Sequence, residues 1–339
     1  MKCWPQLLLG LVITIHSWPV VAQDSAEQWL QKMVTASHEA SFKGRLVLLS
    51  GGRLISLAVF HAPIQGQVWE RVVHLSGEPA EIIRQGDRTF SVHRMNSSQL
   101  SSHVSDAAPA LKPPSGLSTA GSPVQKWESI QQGIQAASRY YRFELVGEDR
   151  VAGRPAILIE VEPLDLHRYG YTLWLDEESG VLLRSQTNPL KGDPLEIFEF
   201  VQLSLVDELS VGDFQAGENL KMPKPLSRSE AEQPLPISDI RWQAGWVPDG
   251  FVAAGRAALS RQYPTVSVRT YSDGLAAFTV FCEALDAPVT ESTSSRGATV
   301  AVNRNRDKTL VTVVGEIPAV TAEKIAENVK ILAVNERTR

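Results

Sequence analysis

The chain has 339 residues, 43% of them hydrophobic, and a formal net charge of −5. That apolar fraction is enough to build real cores, and the length exceeds what one core usually serves, so two domains are expected. A mildly acidic chain without a basic block argues against a nucleic-acid partner.

Lys2 supplies a positive start, and Leu7, Leu8, Leu9, Leu11, Val12, Ile13 and Ile15 a short apolar core. Val20-Val21-Ala22 satisfies the small-residue rule for signal peptidase, so residues 1–22 read as a secretory signal peptide. The apolar core is shorter than the roughly 20 residues a bilayer demands, and no later stretch is long enough. The chain is therefore expected to be exported, periplasmic and not membrane-spanning. Only Cys282 remains after cleavage, which precludes an intrachain disulfide. It lies in an apolar strand and reads as a buried, inert thiol.

The large domain, 23–218, opens with a helix. Ser25 and Gln28 form a capping box, and Trp29, Met33, Ala36 and Ala40 recur at helical spacing. The period then changes. Arg45 to Leu49, Leu54 to His61, Gln67 to Leu75 and Thr89 to His93 read as strands between turn signals. So do Tyr140 to Val146, Ala156 to Glu162, Tyr169 to Leu175, Val181 to Gln186 and Leu195 to Leu203. Short strands joined by tight turns predict an antiparallel meander, curved into a half-barrel carrying a few helices. The strands are apolar on much of both faces. Tyr171 shares a side with Tyr169, Leu173 and Leu175, and Trp174 lies on the other. The aromatics either fill a core or line an apolar pocket within the curved sheet, for which Phe60, Trp69, Tyr171, Trp174 and Phe198 are the candidates.

The Ser- and Pro-rich stretch 95–120 interrupts the meander, and a helix carrying Trp127, Ile130 and Ile134 follows Ser122 and Pro123. The pair is either a lid over an apolar opening or an insertion without function. The stretch 219–236 contains Pro223, Pro225, Pro234 and Pro236 and reads as a linker.

The small domain, 237–339, is α+β. Trp242 and Trp246 precede the turn Pro248-Asp249-Gly250-Phe251. Val266 to Thr270, then Asp273-Gly274, then Ala276 to Cys282 form a hairpin. Thr299 to Val302 and Thr309 to Gly315 add strands. Thr321 is expected to cap a last helix whose apolar stripe is Ile325, Val329 and Leu332. Tyr271, Asp273, Gly274 and Phe278 are candidates for a partner-binding surface.

The sequence offers little chemistry. It has no HExxH, CxxC, GxSxG or Gly-rich phosphate loop, so no catalytic residue, cofactor or metal ligand is assigned. His61, His74 and His93 fall on separate strands and read as scattered structural histidines. Asp165-Leu166-His167-Arg168 reads as a polar turn, and Asp176-Glu177-Glu178-Ser179-Gly180 as a β-turn with an exposed acidic tip.

Several runs carry a resemblance. They are Glu144-Leu145-Val146-Gly147-Glu148, Val151-Ala152-Gly153-Arg154-Pro155-Ala156 and His167-Arg168-Tyr169-Gly170-Tyr171 through Leu175-Asp176. Trp246 to Phe251, Tyr271 to Leu275 and Val314-Gly315-Glu316-Ile317-Pro318 follow in order. With them the chain resembles the RseB/MucB family of sigma-E regulatory proteins, closer to the MucB branch. The resemblance implies a large domain like the LolA/LolB lipoprotein carriers, with an apolar cavity. It also implies a negative regulator of envelope stress, without enzymatic activity. Such a regulator binds the periplasmic part of an RseA/MucA-type anti-sigma factor and shields it from a site-1 protease. It is released by lipid or lipopolysaccharide. A periplasmic lipid or lipoprotein carrier is the alternative, and a homo-oligomer is left open.

Overall fold

The computed structural model describes residues 25–86, 88–93, 134–217, 240–254 and 266–332. The stretches expected to form the signal peptide, the 95–120 loop, most of the helix after Ser122 and the 219–236 linker lie outside them. Helix α1 (Ala26–Glu39) begins as its sequence dictates: Ser25 Oγ accepts from the Gln28 amide, and Gln28 Oε1 accepts from the Ser25 amide. Trp29, Met33 and Ala36 turn inward with Leu30 and Val34.

The chain then runs through β1 (Phe42–Ser50), β2 (Arg53–Ile64), β3 (Gln67–His74), β4 (Ala80–Gln85) and β5 (Arg88–His93). A short helix α2 (Ile134–Ala137) precedes β6 (Tyr141–Val151), β7 (Arg154–Pro163), β8 (Gly170–Asp176), β9 (Leu182–Asn188) and β10 (Glu196–Leu205). Each meander pairs with its neighbours, and β1 pairs with β10, giving one ten-stranded antiparallel sheet in the order β5-β4-β3-β2-β1-β10-β9-β8-β7-β6. Register shifts at Arg45/Leu46, Leu145/Gly147 and Trp174/Leu175 bend it. Helix α1 touches both β2 and β6, and β10 approaches β6, so the sheet curls around the helix as a half-barrel. Leu46, Leu57, Val59, Leu173, Phe198 and Phe200 of the inner face join α1 in the main core.

Strand β4 is not evident from the sequence, because Glu81 and Arg84 flank Ile82-Ile83 without alternation. Its charges are buried with partners: Arg71 of β3 donates two bonds to Glu81, at 2.8 and 3.0 Å. After β10, a 3₁₀ turn, Val211–Phe214, lays Phe214 against Trp69.

The small domain comprises β11 (Arg241–Ala244), β12 (Val252–Ala254), β13 (Ser267–Ser272), β14 (Ala277–Ala284), β15 (Ser292–Arg296), β16 (Thr299–Arg306), β17 (Thr309–Gly315), helix α3 (Ala319–Glu327) and β18 (Val329–Leu332). Six strands form a sheet ordered β12-β13-β14-β17-β16-β15, and β11 pairs with β18. Ala322, Ile325 and Ala326 of α3 close a core with Phe278, Val280, Val302 and Val313. Two expectations are corrected here. Pro318, not Thr321, occupies the cap of α3, and Val329 and Leu332 belong to β18 rather than to the helix. Proline before the first turn fixes the entry angle without a capping hydroxyl, and Asn328 at the C-cap breaks the helical period ahead of Val329.

Candidate functional site at the domain junction

The five residues expected in an apolar pocket do not converge. Tyr171 and Phe198 are buried on the inner face of the half-barrel. Phe60 and Trp69, out of phase with Leu57, Val59 and Val72, join a satellite cluster with Ala62, Leu209 and Phe214 on the outer face. Trp174 lies out of phase with Leu173 and Leu175. Its indole sits 4.3 Å from the Arg184 guanidinium and donates to the exposed Asp149 at 2.7 Å. The bonds from the Arg150 amide and from Trp174 hold the Asp149 carboxyl below its usual range. Of the five, Tyr171 lines a cleft of about 410 Å³ between β7 and the β9 end, with Glu160, Glu162, Asn188 and Leu190.

The partner-binding candidates are largely interior. Tyr271 and Phe278 stack with ring centres 5.0 Å apart inside the small-domain core. Gly274 is half-buried, and Asp273 is buried and faces the large domain. The histidines stay apart. His61 is fully buried, stacks on Phe42 at 4.7 Å and lies 3.6 Å from Glu70, whereas His74 pairs with Leu57 further along β2. Among the described residues no three His, Cys, Asp or Glu side chains gather to hold a metal ion. Cys282 is buried, and burial pushes its thiol up to about 12. Asp176 is not part of an exposed tip. Burial pushes its carboxyl up, but bonds from Arg154 and Ser179 outweigh that and hold it below its usual value.

The densest polar chemistry lies where the two domains meet, in the stretch read from sequence as a polar turn. The loop between β7 and β8 is shaped by Asp165, whose Oδ1 accepts from the His167 amide at 2.8 Å. His167, Arg168 and Tyr169 of this loop all reach the small domain. His167 Nδ1 lies 3.1 Å from Thr321 Oγ1, and its ring packs edge-on against Trp246, which Lys324 covers from 3.8 Å. Tyr169 donates to the Ile317 carbonyl at 3.1 Å. Burial, followed by the nearby Glu316 and Glu196, pushes the Tyr169 phenol up to about 12, so it stays a donor at neutral pH.

Arg168 lies between them with 0% of its surface exposed. Its Nε donates to Asp273 Oδ2 at 2.6 Å, and its remaining nitrogens bond Asp165 of its own loop and the Asp249 carbonyl of the small domain. Tyr140 of the large domain and Phe251 of the small one each lie 4.7 Å from the guanidinium carbon. Asp273 is equally saturated. Tyr141 donates to it at 3.2 Å, and the amides of Leu275 and Ala276 bond its other oxygen at 2.9 and 2.7 Å. Burial first, then the neighbouring Tyr171 and Asp273, hold the Tyr141 phenol well above its ordinary value, so it too remains a donor.

Two glycines let the backbones approach. A Cβ on Gly250 would overlap the Tyr140 ring, and one on Gly297, in the β15–β16 turn, would overlap Glu196 and Ser50 of the large domain. Leu275, at the tip of the β13–β14 hairpin, joins the large-domain core. The small domain thus stoppers one end of the half-barrel with three of its turns. The hairpin is legible in the sequence but this role is not, because Arg168 and Asp273 are 105 residues apart. The one available signal was the run of polar and aromatic residues from Asp165 to Tyr171.

Comparisons with known proteins cover the same two units. A family model described as the MucB/RseB N-terminal domain matches residues 25–218, and one described as the MucB/RseB C-terminal domain matches 236–330. The sigma factor AlgU regulatory protein MucB of Pseudomonas aeruginosa is 33% identical over 96% of both chains. The sigma-E factor regulatory protein RseB of Haemophilus influenzae is 29% identical over 95% of this chain and 96% of its own. The solved complex of MucA and MucB from Pseudomonas aeruginosa superposes with a TM-score of 0.68 at 31% identity, covering 91% of this chain and 99% of that one.

Proposed function

The chain belongs to the MucB/RseB family, and from that membership we propose that it is a periplasmic negative regulator of a sigma-E-type envelope stress response. It binds the periplasmic part of an RseA/MucA-type anti-sigma factor and shields it from site-1 proteolysis. The observation that carries this reading is the full-length match to a relative solved in complex with MucA. The small domain and the 219–236 linker supply the partner contact. Because Tyr271, Asp273 and Phe278 are buried, their part in it is to hold the hairpin, and exposed neighbours make the touch.

Release by lipid or lipopolysaccharide belongs to the large domain, with Tyr171, Trp174 and Phe198 in the main core cluster and Phe60 and Trp69 in the outer one. Any ligand that favours the partner-free form weakens partner binding by the same factor that the partner weakens the ligand. No described helix is long and apolar enough to cross a membrane, which suits a protein that acts on the exposed segment of a membrane partner.

The test is protection. The mature chain is mixed with the periplasmic segment of the anti-sigma factor encoded beside it and exposed to its site-1 protease. The segment survives longer in the presence of the folded chain if the proposal holds. Cleavage at an unchanged rate with saturating chain overturns it.

A further inference from the structure

Each domain has a complete core of its own, built from its own residues but for Leu275 at the hairpin tip. Among the described residues, what joins them is largely polar: the buried Arg168–Asp273 pair, hydrogen bonds from Arg168 to the Asp249 carbonyl and from Tyr141 and Tyr169, and the His167–Thr321 contact, beside the ring contacts of Trp246 with His167 and Phe251 with Arg168. Interfaces of that kind between domains permit relative motion. A buried ion pair gives back in Coulomb attraction about what it loses in hydration, so separating both partners into water together is cheap. Removing one partner while the other stays buried is not.

Arg168 adds direction to this. Its planar fork reaches Asp273 and the Asp249 carbonyl at once, between two aromatic faces, which few other placements of the small domain satisfy. The contact is therefore specific in geometry and modest in net strength.

We infer that the Asp165–Tyr169 loop is an interdomain latch, with Arg168 as the bolt and the Asp273 hairpin as the keeper. Engaged, it seats the small domain on the end of the half-barrel. Disengaged, it frees the small domain to leave that end, rehydrating Arg168 and Asp273 while both cores stay intact. The latch stands independently of the regulator reading. If that reading holds, a partner preferring one arrangement shifts the latch by its difference in affinity for the two.

The test uses the mature chain carrying spin labels at Glu148→Cys on β6 and Ser294→Cys on β15, both exposed positions. Buried Cys282, with its raised thiol, stays unlabelled. Pulsed dipolar spectroscopy on the parent gives one dominant distance. Asp273→Asn keeps the acceptor that holds the Leu275 and Ala276 amides but removes the charge opposite Arg168. It raises the ratio of separated to seated arrangement by roughly a hundredfold or more, seen as a second, longer distance. Arg168→Lys keeps the charge, loses the fork and shifts the distribution the same way.

Unchanged distances in both variants, with native circular dichroism, overturn the latch. If Asp273→Asn does not fold, Arg168→Lys decides. If neither folds, the pair serves folding and the latch is refuted. No partner enters the measurement, so its failure leaves the regulator reading standing, and a chain that binds no partner leaves the latch standing.

Discussion

Replacing Arg168 by methionine gives the most informative single perturbation. The variant keeps most of the side-chain volume but removes the Nε bond to Asp273, the bond to the Asp249 carbonyl and the cation between Tyr140 and Phe251. Breaking a buried pair by deleting one partner costs about 3–5 kcal/mol. Asp273 retains Tyr141 and the amides of Leu275 and Ala276 as donors, which places the loss at the lower end, about 3 kcal/mol. For a unit of 150–250 residues that corresponds to a Tm about 6–12 °C lower. Because the loss falls on the junction, differential scanning calorimetry should show the transition split, the two domains melting apart. The double variant Arg168→Met/Asp273→Asn should recover at least half of the shift, since the amide removes the stranded charge while keeping the acceptor for the Leu275 and Ala276 amides. A single transition within about 1 °C of the parent, or a double variant no better than the single one, would show that Arg168 does not hold the junction.

Phe278→Ala leaves a cavity beneath Tyr271 and Phe251 and should destabilise the small domain by about 3–5 kcal/mol in urea denaturation. Partner affinity of the fraction that remains folded should be unchanged. Asp176 has a lowered folded pKa, so its contribution is present above about pH 4, its unfolded value, and is lost as pH falls through the folded value. Asp176→Asn should therefore flatten the acid limb of the stability profile, read from urea midpoints across pH. Cys282 should resist alkylation at neutral pH in the native protein and react fully in denaturant, as its burial and raised thiol require.

Much of the fold was legible because its signals are local. The Ser25–Gln28 box, the alternation of β1 to β3 and β6 to β10, and the Asp273-Gly274 turn are each written in a few adjacent residues. What stayed hidden depends on partners distant in sequence. Strand β4 carries Glu81 and Arg84, which look like surface charges until Arg71 is placed beside Glu81. Strand β15 reads Ser-Thr-Ser-Ser-Arg, fully exposed and without an apolar signal, and forms only because β16 lies next to it. Val329 continues an apolar stripe at helical spacing, yet β11 recruits it as a strand.

The candidate site shows the same division. Strand parity places Trp174 opposite Tyr171 from sequence alone, so the five pocket candidates already stood on two faces. The turn chemistry of Asp273 was equally visible. Its second oxygen, bound to Arg168 across the junction, was not, because no local pattern joins a β7–β8 loop to a β13–β14 hairpin.

Partner binding is decided by isothermal titration of the mature chain with the periplasmic segment of the neighbouring RseA/MucA-type anti-sigma factor. Saturable binding at a defined stoichiometry is the expected result. Titration without heat or saturation over a range of temperatures, with the chain shown folded by circular dichroism, would contradict it.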